Sequence, residues 1–338
     1  MKIDYGPLKG LIADINITEV MVNAWDRVFV ESAGIITEVQ NRFVDERQWN
    51  EFIQQILHHC GRRQASEALF FDGILPEGHR FNITLPPSSM TPTLTIRKFR
   101  NKHMTLDDLV KAGSLSDKAA RFLDAAVKAR LSIVVSGGTG TGKTTILNSL
   151  AACIPGNERV ISIQDVPELK LPLRNWVSIV TVDQPKTLSA RDCLVNSLRM
   201  RPDRIIIGEC RKDETFEMLQ AMNTGHEGSM TTIHASTAQD ALIRIESLMM
   251  YASFEMPIKV LRFQISQSID LIVQVHRTAS GKREISEIME LTGMENDTIT
   301  RAPIFQRDKK GILAPMGYVP ECLKKIHEAK IELPSQFF

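Results

Sequence analysis

The chain has 338 residues, of which 43% are hydrophobic and 24% charged, with a formal net charge of +1. This length indicates two or three domains, and the near-neutral charge and the 6% of aromatic residues argue against nucleic acid or anionic lipid as the main partner. The five cysteines are scattered without a CxxC pair, the start lacks a signal peptide, and no apolar run approaches the ~20 residues of a membrane span, so the sequence predicts a cytoplasmic protein with reduced thiols.

Residues 1–100 predict a mixed α/β N-terminal domain. Strand-like alternation in "ITEVMVN" and "RVFVES" flanks the turn-like "NAWD", and "QWNEFIQQILHHCG" has the apolar spacing of a helix that Gly61 ends. Two more strands are predicted in "RFNITL" and "TLTIRKF". After Phe99 the chain turns polar, and residues 101–115 are interpreted as a linker.

Residues 116–338 predict a second domain in which strands and helices alternate. Ser116 is the predicted N-cap of a helix that runs to about Arg130. Predicted strands follow at "LSIVVSG", "RVISI", "RIIIG", "SMTTIHA" and "DLIVQV". The helices between them are predicted from Lys143, near 189–199, over 213–223 and over 238–250. Such alternation predicts a largely parallel sheet covered by helices.

The segment "VVSGGTGTGKTT" matches the phosphate-binding pattern G-x-x-x-x-G-K-[ST], beginning at Gly137, after an apolar strand and at the start of a helix. Backbone N–H groups of such a loop and the helix N-terminus bind phosphate oxygens. Lys143 is expected to reach the β- and γ-phosphates, and the Thr144 hydroxyl to hold Mg²⁺. The predicted ATP-binding residues are Gly138, Thr139, Gly140, Thr141, Gly142, Lys143, Thr144 and Thr145.

Acidic residues follow two of the predicted strands. Glu209 ends "RIIIGE", where a carboxylate beside the phosphate-binding loop is placed to orient or deprotonate the attacking water. Asp165 and Glu168 follow "RVISI". Asp165 either helps to position Mg²⁺ through water or caps the turn set up by Pro167, and both interpretations stay open.

Four segments occur in a characteristic order: "GGTGTGKTT", "SIQDVPEL", "MRPDRIIIGECR" and "GHEGSMTTIHA". They resemble the four boxes of the type II/IV secretion ATPase superfamily. Within it the chain is most similar to the assembly ATPases of tight-adherence (Flp-type) pili, through stretches such as "LPEGHRFNITLPPSS" and the terminal "IELPSQFF". The resemblance covers essentially the whole chain.

This resemblance implies a small N-terminal domain joined by a flexible linker to a RecA-like P-loop ATPase domain, with six subunits in a ring. It also implies ATP and Mg²⁺ as cofactors, an inner-membrane platform protein of a pilus or secretion apparatus as partner, and a cytoplasmic location peripheral to that membrane without insertion. In the family, N-terminal arginines reach the ATP phosphates, and Arg80, Arg97 and Arg100 match those positions. The alternative for Arg97 and Arg100 is a solvated strand edge.

Two histidines, His226 and His234, lie eight residues apart in the fourth box. The sequence lacks HExxH and the Cys and His spacing of zinc sites, so metal binding is disfavoured. A buried structural role is one alternative. The resemblance implies instead that this box faces the γ-phosphate, where His234 registers ATP or ADP. The candidate catalytic residues are Glu209, Glu168, His234 and His226.

One position departs from the family, because Gln164 stands where the family usually has a glutamate beside Asp165. The leading hypothesis is a hexameric ATPase that powers pilus assembly or protein secretion. A conjugation or effector-export ATPase differs from it only in partner. A weakly hydrolysing, nucleotide-gated scaffold is the alternative that Gln164 favours, and the near-neutral charge counts against a helicase.

Overall fold

The structure is a computed structural model that describes residues 3–59, 68–98, 104–182, 187–252, 255–308, 310–334 and 337–338. The chain divides into two compact units, Met1–Lys102 and His103–Phe338. Each unit has a hydrophobic core of its own. Among the described residues, no helix is both long and apolar enough to cross a membrane.

The first unit is an antiparallel sheet with helices packed on it. Its elements are α1 (Lys9–Ala13), β1 (Ile17–Ala24), β2 (Arg27–Ser32), β3 (Ile35–Val39), α2 (Glu46–His59), β4 (Phe70–Ile74), β5 (Arg80–Thr84) and β6 (Thr93–Arg97). The strand order is β3-β2-β1-β6-β5-β4. The helix α2 is anchored by Trp49, which is fully buried and donates its indole N–H to the carbonyl of Pro92 at 3.0 Å. The four strands and the helix predicted here are confirmed, although Gly61 lies outside the described residues.

The second unit contains the remaining helices and strands. Its helices are α3 (Leu106–Lys111), α4 (Asp117–Lys128), α5 (Lys143–Ala151), α6 (Ala190–Ser197), α7 (Glu214–Asn223), α8 (Ala238–Ala252), α9 (Ile258–Ser268) and α10 (Leu323–Glu328). Its strands are β7 (Ile133–Gly137), β8 (Val160–Gln164), β9 (Trp176–Val180), β10 (Arg204–Ile207), β11 (Met230–Ile233), β12 (Leu271–Arg277), β13 (Arg283–Glu295), β14 (Thr298–Arg307) and β15 (Leu313–Pro315).

These nine strands form one sheet in the order β15-β14-β13-β12-β7-β11-β10-β8-β9. The six strands from β12 to β9 in this order are parallel to one another, as the sequence predicts. The strands β13 to β15 add an antiparallel extension that was not predicted. Its turn at Asn296 and Asp297 has positive φ at both residues, 46° and 68°, as in the two-residue turns that join antiparallel strands.

The central strands of the sheet are buried on both faces, which explains why β7, β8 and β10 consist mostly of Val and Ile. One core includes residues of α3, α4, α5 and α10, and the other includes residues of α6, α7, α8 and α9. The loops that follow the parallel strands therefore meet at one edge, which is called here the carboxyl edge. The opposite edge, where these strands begin, is called the amino edge.

The described part of the predicted linker contains the helix α3, Leu106–Lys111. Thr105 caps α3 in a reciprocal capping box with Asp108, which fixes where the helix starts. Leu106 and Leu109 are buried in a core of the second unit. Residues 104–115 therefore belong structurally to the second unit, and the polar composition that favoured a linker is that of the exposed face of a short helix.

Candidate nucleotide-binding site

The phosphate-binding loop connects β7 to α5 at the carboxyl edge. Gly140 and Gly142 have φ of +71° and +97°, which residues with a side chain rarely adopt. Gly137 has no room for a side chain, since a Cβ there would lie 2.6 Å from both the Thr141 hydroxyl and the Val275 carbonyl. Gly142 is the residue before the first turn of α5, so the free N–H groups of that turn face the loop.

Lys143 lies inside this loop and is 7% exposed. Its ammonium donates to the carbonyl of Gly138 at 2.8 Å, and the hydroxyl of Thr141 donates to the same carbonyl at 2.9 Å. The ammonium also lies 3.3 and 3.4 Å from the two ring nitrogens of His234. A charged amine held at the centre of a loop of N–H donors is an arrangement that attracts phosphate oxygens.

His234 links Lys143 to the catalytic acid predicted on the next strand. Its Nε2 lies 3.0 Å from Oε1 of Glu209. Burial lowers the pKa of His234 below its ordinary 6.5, the charge of Glu209 raises it, and the charges of Lys143 and Arg211 lower it further. The imidazole is therefore neutral at pH 7, so that Nε2–H donates to Glu209 and Nδ1 faces the ammonium.

Glu209 is held from its other side by Arg211. The guanidinium donates from Nε to Oε1 at 2.8 Å and from Nη2 to Oε2 at 2.9 Å, which is a bidentate pair. Burial raises the pKa of Glu209, but the hydrogen bond and charge of Arg211, together with the charge of Lys143, bring it below its ordinary 4.5. Glu209 is thus an ionised carboxylate beside the phosphate-binding loop.

The contacts continue along the carboxyl edge beyond Arg211. Its Nη1 lies 3.4 Å from Oδ2 of Asp165, and the hydroxyl of Thr181 donates to Oδ1 of Asp165 at 3.0 Å. The polar row, as these residues are called below, crosses five neighbouring strands and follows their order in the sheet: Lys143, His234, Glu209, Arg211, Asp165 and Thr181. Thr181 was missed in the sequence, and Arg211 was one of several arginines near Glu209 with no distinguishing pattern.

His226 is not part of the polar row, which corrects the expectation that both histidines face the phosphate. It precedes β11 whereas His234 follows it, so the two lie at opposite edges of the sheet, separated by a strand of four residues or about 13 Å. Gly228, two residues after His226, lies against Arg130 and Arg204 at the amino edge. Within the subunit, His226 is therefore distant from the phosphate-binding loop.

The loop after β8 is fastened by Gln164, the residue that departs from the family pattern. Its Oε1 accepts the backbone N–H groups of Glu168 and Leu169 at 2.8 and 2.7 Å, while its amide nitrogen is buried without a partner among the described residues. Asn148 of α5 donates to the carbonyl of Glu168 at 3.2 Å. The backbone of Glu168 is thus held against α5, whose first turn carries Lys143 and Thr144.

The described residues contain no group of three or more His, Cys, Asp or Glu that could hold a metal ion by themselves. Mg²⁺ is commonly held by one or two protein oxygens together with substrate phosphates, which needs no such cluster. The Thr144 hydroxyl at the start of α5 suits that role. The exposed Asp165 carboxylate accepts from Thr181 and faces Arg211, and its contact with Mg²⁺ through water stays a prediction.

The predicted arginine contacts lie in the first unit. Arg80 of β5 and Arg97 of β6 are directly opposite each other in the antiparallel register, and Arg97 is 3.8 Å from Glu19 of β1. Opposed like charges on neighbouring strands are unfavourable unless an anion binds them. Their contact with phosphate stays a prediction, and Arg100 lies outside the described residues.

A comparison with protein families identifies the wider group. The model of the family described as "Type II/IV secretion system protein" matches residues 2–313. The chain belongs to this family. The secretion ATPase superfamily inferred from the four boxes is therefore confirmed, together with its RecA-like P-loop fold and smaller mixed α/β N-terminal unit, whereas particular closeness to Flp-type pili stays a prediction.

Individual relatives agree with this assignment. The chain is 34% identical over 295 residues to conjugal transfer protein TrbB of Rhizobium radiobacter, covering 84% of this chain and 86% of TrbB. Type IV secretion system protein PtlH of Bordetella pertussis is 34% identical over 266 residues, 70% of this chain and 78% of PtlH. The crystal structure of the pilus retraction motor PilT with bound ADP has a TM-score of 0.62 at 21% identity, covering 85% of this chain and 82% of PilT, and shows the shared fold.

Proposed function

We propose that the protein is a Mg²⁺-dependent ATPase that works as a homohexameric motor of a bacterial secretion or pilus-assembly apparatus. The observation that carries this proposal is the direct succession of Lys143, His234 and Glu209 beside the phosphate-binding loop. It places a phosphate-binding cation and an ionised carboxylate on either side of one neutral imidazole.

In the proposed reaction the loop N–H groups and Lys143 hold the β- and γ-phosphates. The Thr144 hydroxyl would hold Mg²⁺ together with these phosphates, and the bound ion would offset their negative charge. Glu209 accepts a proton from the attacking water, whose oxygen forms a bond to the γ-phosphorus. The bond from that phosphorus to the β,γ-bridging oxygen breaks, and the electron pair leaves with ADP. The backbone of Glu168 shapes the neighbouring loop, and a catalytic role for its side chain stays a prediction.

His234 is proposed as the residue that distinguishes ATP from ADP. It already contacts both the lysine and the acid, so a γ-phosphate that draws Lys143 toward itself changes the surroundings of the imidazole. That change acts at the end of β11, a central strand of the sheet. Arg80 and Arg97 are proposed to complete the phosphate contacts, as the resemblance implies.

The apparatus itself is proposed from the relatives. Assembly of a Flp-type pilus through an inner-membrane platform protein is the hypothesis from the sequence, and this chain would then lie in the cytoplasm at that membrane. Conjugation or type IV export is a second candidate, which the 34% identity to the conjugal transfer protein TrbB and to the type IV secretion protein PtlH favours. The catalytic chemistry is the same for both.

A weakly hydrolysing scaffold gains no support from the geometry at Gln164. The side-chain oxygen of Gln164 holds the Glu168 loop through two backbone N–H groups, a role that needs one oxygen and no charge. The presence of Gln164 in place of a glutamate does not change the ionised carboxylate of Glu209. Position 164 therefore departs from the family without removing a group from the polar row.

The test is ATP hydrolysis per subunit, with and without Mg²⁺, over a wide range of protein concentration. Specific activity that rises steeply as subunits associate supports the motor, since the proposed arginine contacts are completed by the ring. Lys143→Ala is the control for a contaminating ATPase and is expected to be inactive. Activity near zero at every concentration contradicts the motor unless the membrane partner restores it.

A further inference from the structure

Arg211 makes a set of contacts that the proposed reaction does not yet use. Its side chain is about half exposed, yet each of its three guanidinium nitrogens faces a carboxylate. Nε and Nη2 pair with the two oxygens of Glu209 at 2.8 and 2.9 Å, and Nη1 faces Asp165 at 3.4 Å. A planar fork held at three points has a fixed orientation, which a flexible ammonium does not have.

The hydrogen bonds to Glu209 occupy most of the positions at which its carboxylate can accept a hydrogen bond. An ionised carboxylate has about four lone-pair positions, two on each oxygen. Arg211 Nε and His234 Nε2 occupy the two positions of Oε1, and Arg211 Nη2 occupies one position of Oε2. Among the described residues no other donor contacts this carboxylate, so one position on Oε2 is open to water.

We propose that Arg211 is a positioning residue for Glu209, which fixes the carboxylate so that its one open position, on Oε2, receives the attacking water. This inference rests on the proposed hydrolysis of ATP. Without the fork, the carboxylate turns about its terminal bond and its free oxygen positions are no longer aimed at one place. The two hydrogen bonds from Arg211 thereby restrict the carboxylate of Glu209, the proposed general base, to a single orientation.

The anchor on the far side of Arg211 makes this role possible. Asp165 is itself held by Thr181, the residue that follows β9, so the fork is braced against the neighbouring strand ends. Glu209 and Arg211 are only two residues apart on a loop, and their pairing alone would move with that loop. The bond to Asp165 ties this pair to the end of β8.

A phosphate-contacting role for Arg211 would predict a different result. An arginine that binds the nucleotide contributes to affinity, whereas an arginine that orients the base contributes to turnover. The two roles are separated by comparing kcat with the dissociation constant for ATP.

The experiment compares Arg211→Gln and Arg211→Lys with the parent protein and with Arg191→Gln. Arg191 is a suitable control because it loses the same charge and breaks an Arg–Glu pair, to Glu217 at 2.9 Å, away from the polar row. Arg211→Gln is expected to lower kcat about 10- to 100-fold with the dissociation constant for ATP within about twofold of the parent. Arg211→Lys, which keeps the charge without the fork, is expected to recover only part of the loss, and Arg191→Gln to match the parent.

Unchanged kcat in Arg211→Gln overturns the inference, as does full recovery in Arg211→Lys. A loss of ATP affinity as large as the loss of kcat assigns Arg211 to phosphate instead. The Nε2–H resonance of His234 in NMR gives a readout that does not depend on turnover. It is expected in the parent and in Arg191→Gln, and it broadens or disappears in Arg211→Gln as Glu209 turns away. If the parent binds ATP without hydrolysing it, the proposed function fails, while this resonance still decides whether Arg211 positions Glu209.

Discussion

The two edges of the same sheet differ in how far their charged side chains are exposed to solvent. At the carboxyl edge the charges of the polar row are partly open, with Glu209 19% and Arg211 54% exposed in their side chains. At the amino edge Arg204 is fully buried and pairs with Glu158 through two bonds of 2.7 and 2.8 Å. The first arrangement keeps acceptor positions open for a substrate, and the second leaves no access for one.

The difference explains why the fourth sequence box contains two unlike histidines. His234 follows β11 and belongs to the polar row, whereas His226 precedes the same strand on the side of the amino edge. Gly228 shows how tightly that edge is packed, because a Cβ there would lie 2.7 Å from Nη1 of Arg204 and 2.8 Å from Cα of Arg130. The end of this motif at His234 therefore contributes to the candidate site, whereas the end at His226 and Gly228 contributes to the packing of the amino edge.

Arg204→Leu breaks the amino edge and is expected to have the largest effect on stability. It leaves the mostly buried Glu158 without its bidentate partner, with only Arg130 at 3.6 Å, and removes the donor to the Val127 carbonyl. The free energy of local unfolding is expected to fall by about 3–5 kcal/mol. Hydrogen exchange of the β10 amides measures it, with Arg199→Leu as an exposed control, and a loss below about 1 kcal/mol would contradict a structural edge.

Glu209→Gln breaks the carboxyl edge and is expected to act on turnover instead. An amide cannot take the proton from water, so kcat is expected to fall about 10²- to 10⁴-fold while ATP affinity is retained. Steady-state hydrolysis and equilibrium binding of ATP separate the two quantities. The control is Glu217→Gln, which removes a carboxylate from an exposed arginine pair. If the parent hydrolyses ATP, unchanged turnover in Glu209→Gln would show that Glu209 is not the general base.

Parallel substitution of the two histidines sharpens the comparison between the edges. His234→Ala is expected to keep ATP binding and to lower turnover about tenfold or more, because it removes the group between Lys143 and Glu209. His226→Ala is expected to leave the turnover of folded protein close to that of the parent. Hydrolysis and ATP binding are measured for both variants after their folding is verified by circular dichroism. Equal losses of turnover in the two variants would mean that both histidines contribute to hydrolysis and would contradict the difference between the two edges.

The smallest expected effect is the titration of His234. Its folded-state pKa lies below 6.5, because burial and the nearby cations outweigh the attraction of Glu209. The stability that the neutral imidazole contributes is therefore complete above about pH 6.5 and is lost as the pH falls through the folded-state pKa. Histidine NMR measures this pKa, which is expected to fall further in Glu209→Gln. A pKa above 6.5 in the parent would mean that the imidazole is charged at the site.

Much of the second unit was predictable because its signals are local. The strand β7 is apolar, the loop after it has glycines at fixed spacing, and Ser116 caps α4 by accepting the N–H of Ala119. The extension β13–β15 was harder to predict. Its residues alternate irregularly because register shifts interrupt the pairing between Ile288 and Met289 and between Leu291 and Gly293.

The site was predictable at Lys143, Thr144 and Glu209. Lys143 and Thr144 begin the helix after the glycine-rich loop, and Glu209 comes just after the apolar strand β10. The pairing of Glu209 with Arg211 was not predictable, because residues two apart are paired by the path of the loop and not by strand or helix periodicity. Nearness in sequence also misled for His226, since four strand residues are enough to carry the chain from one edge of the sheet to the other.

The polar row has a consequence for which changes of length the chain can tolerate. Each residue of the polar row comes a few residues after the end of a parallel strand. Its position therefore depends on the number of residues between it and the hydrogen-bonded part of that strand. A single-residue deletion in β10, which has four residues, would either turn Glu209 to the opposite face or withdraw it by about 3 Å from His234. The exposed turn at 278–281, outside the parallel strands, carries no such constraint. Insertions and deletions are therefore expected to be tolerated at that turn and excluded from β7, β8, β10 and β11.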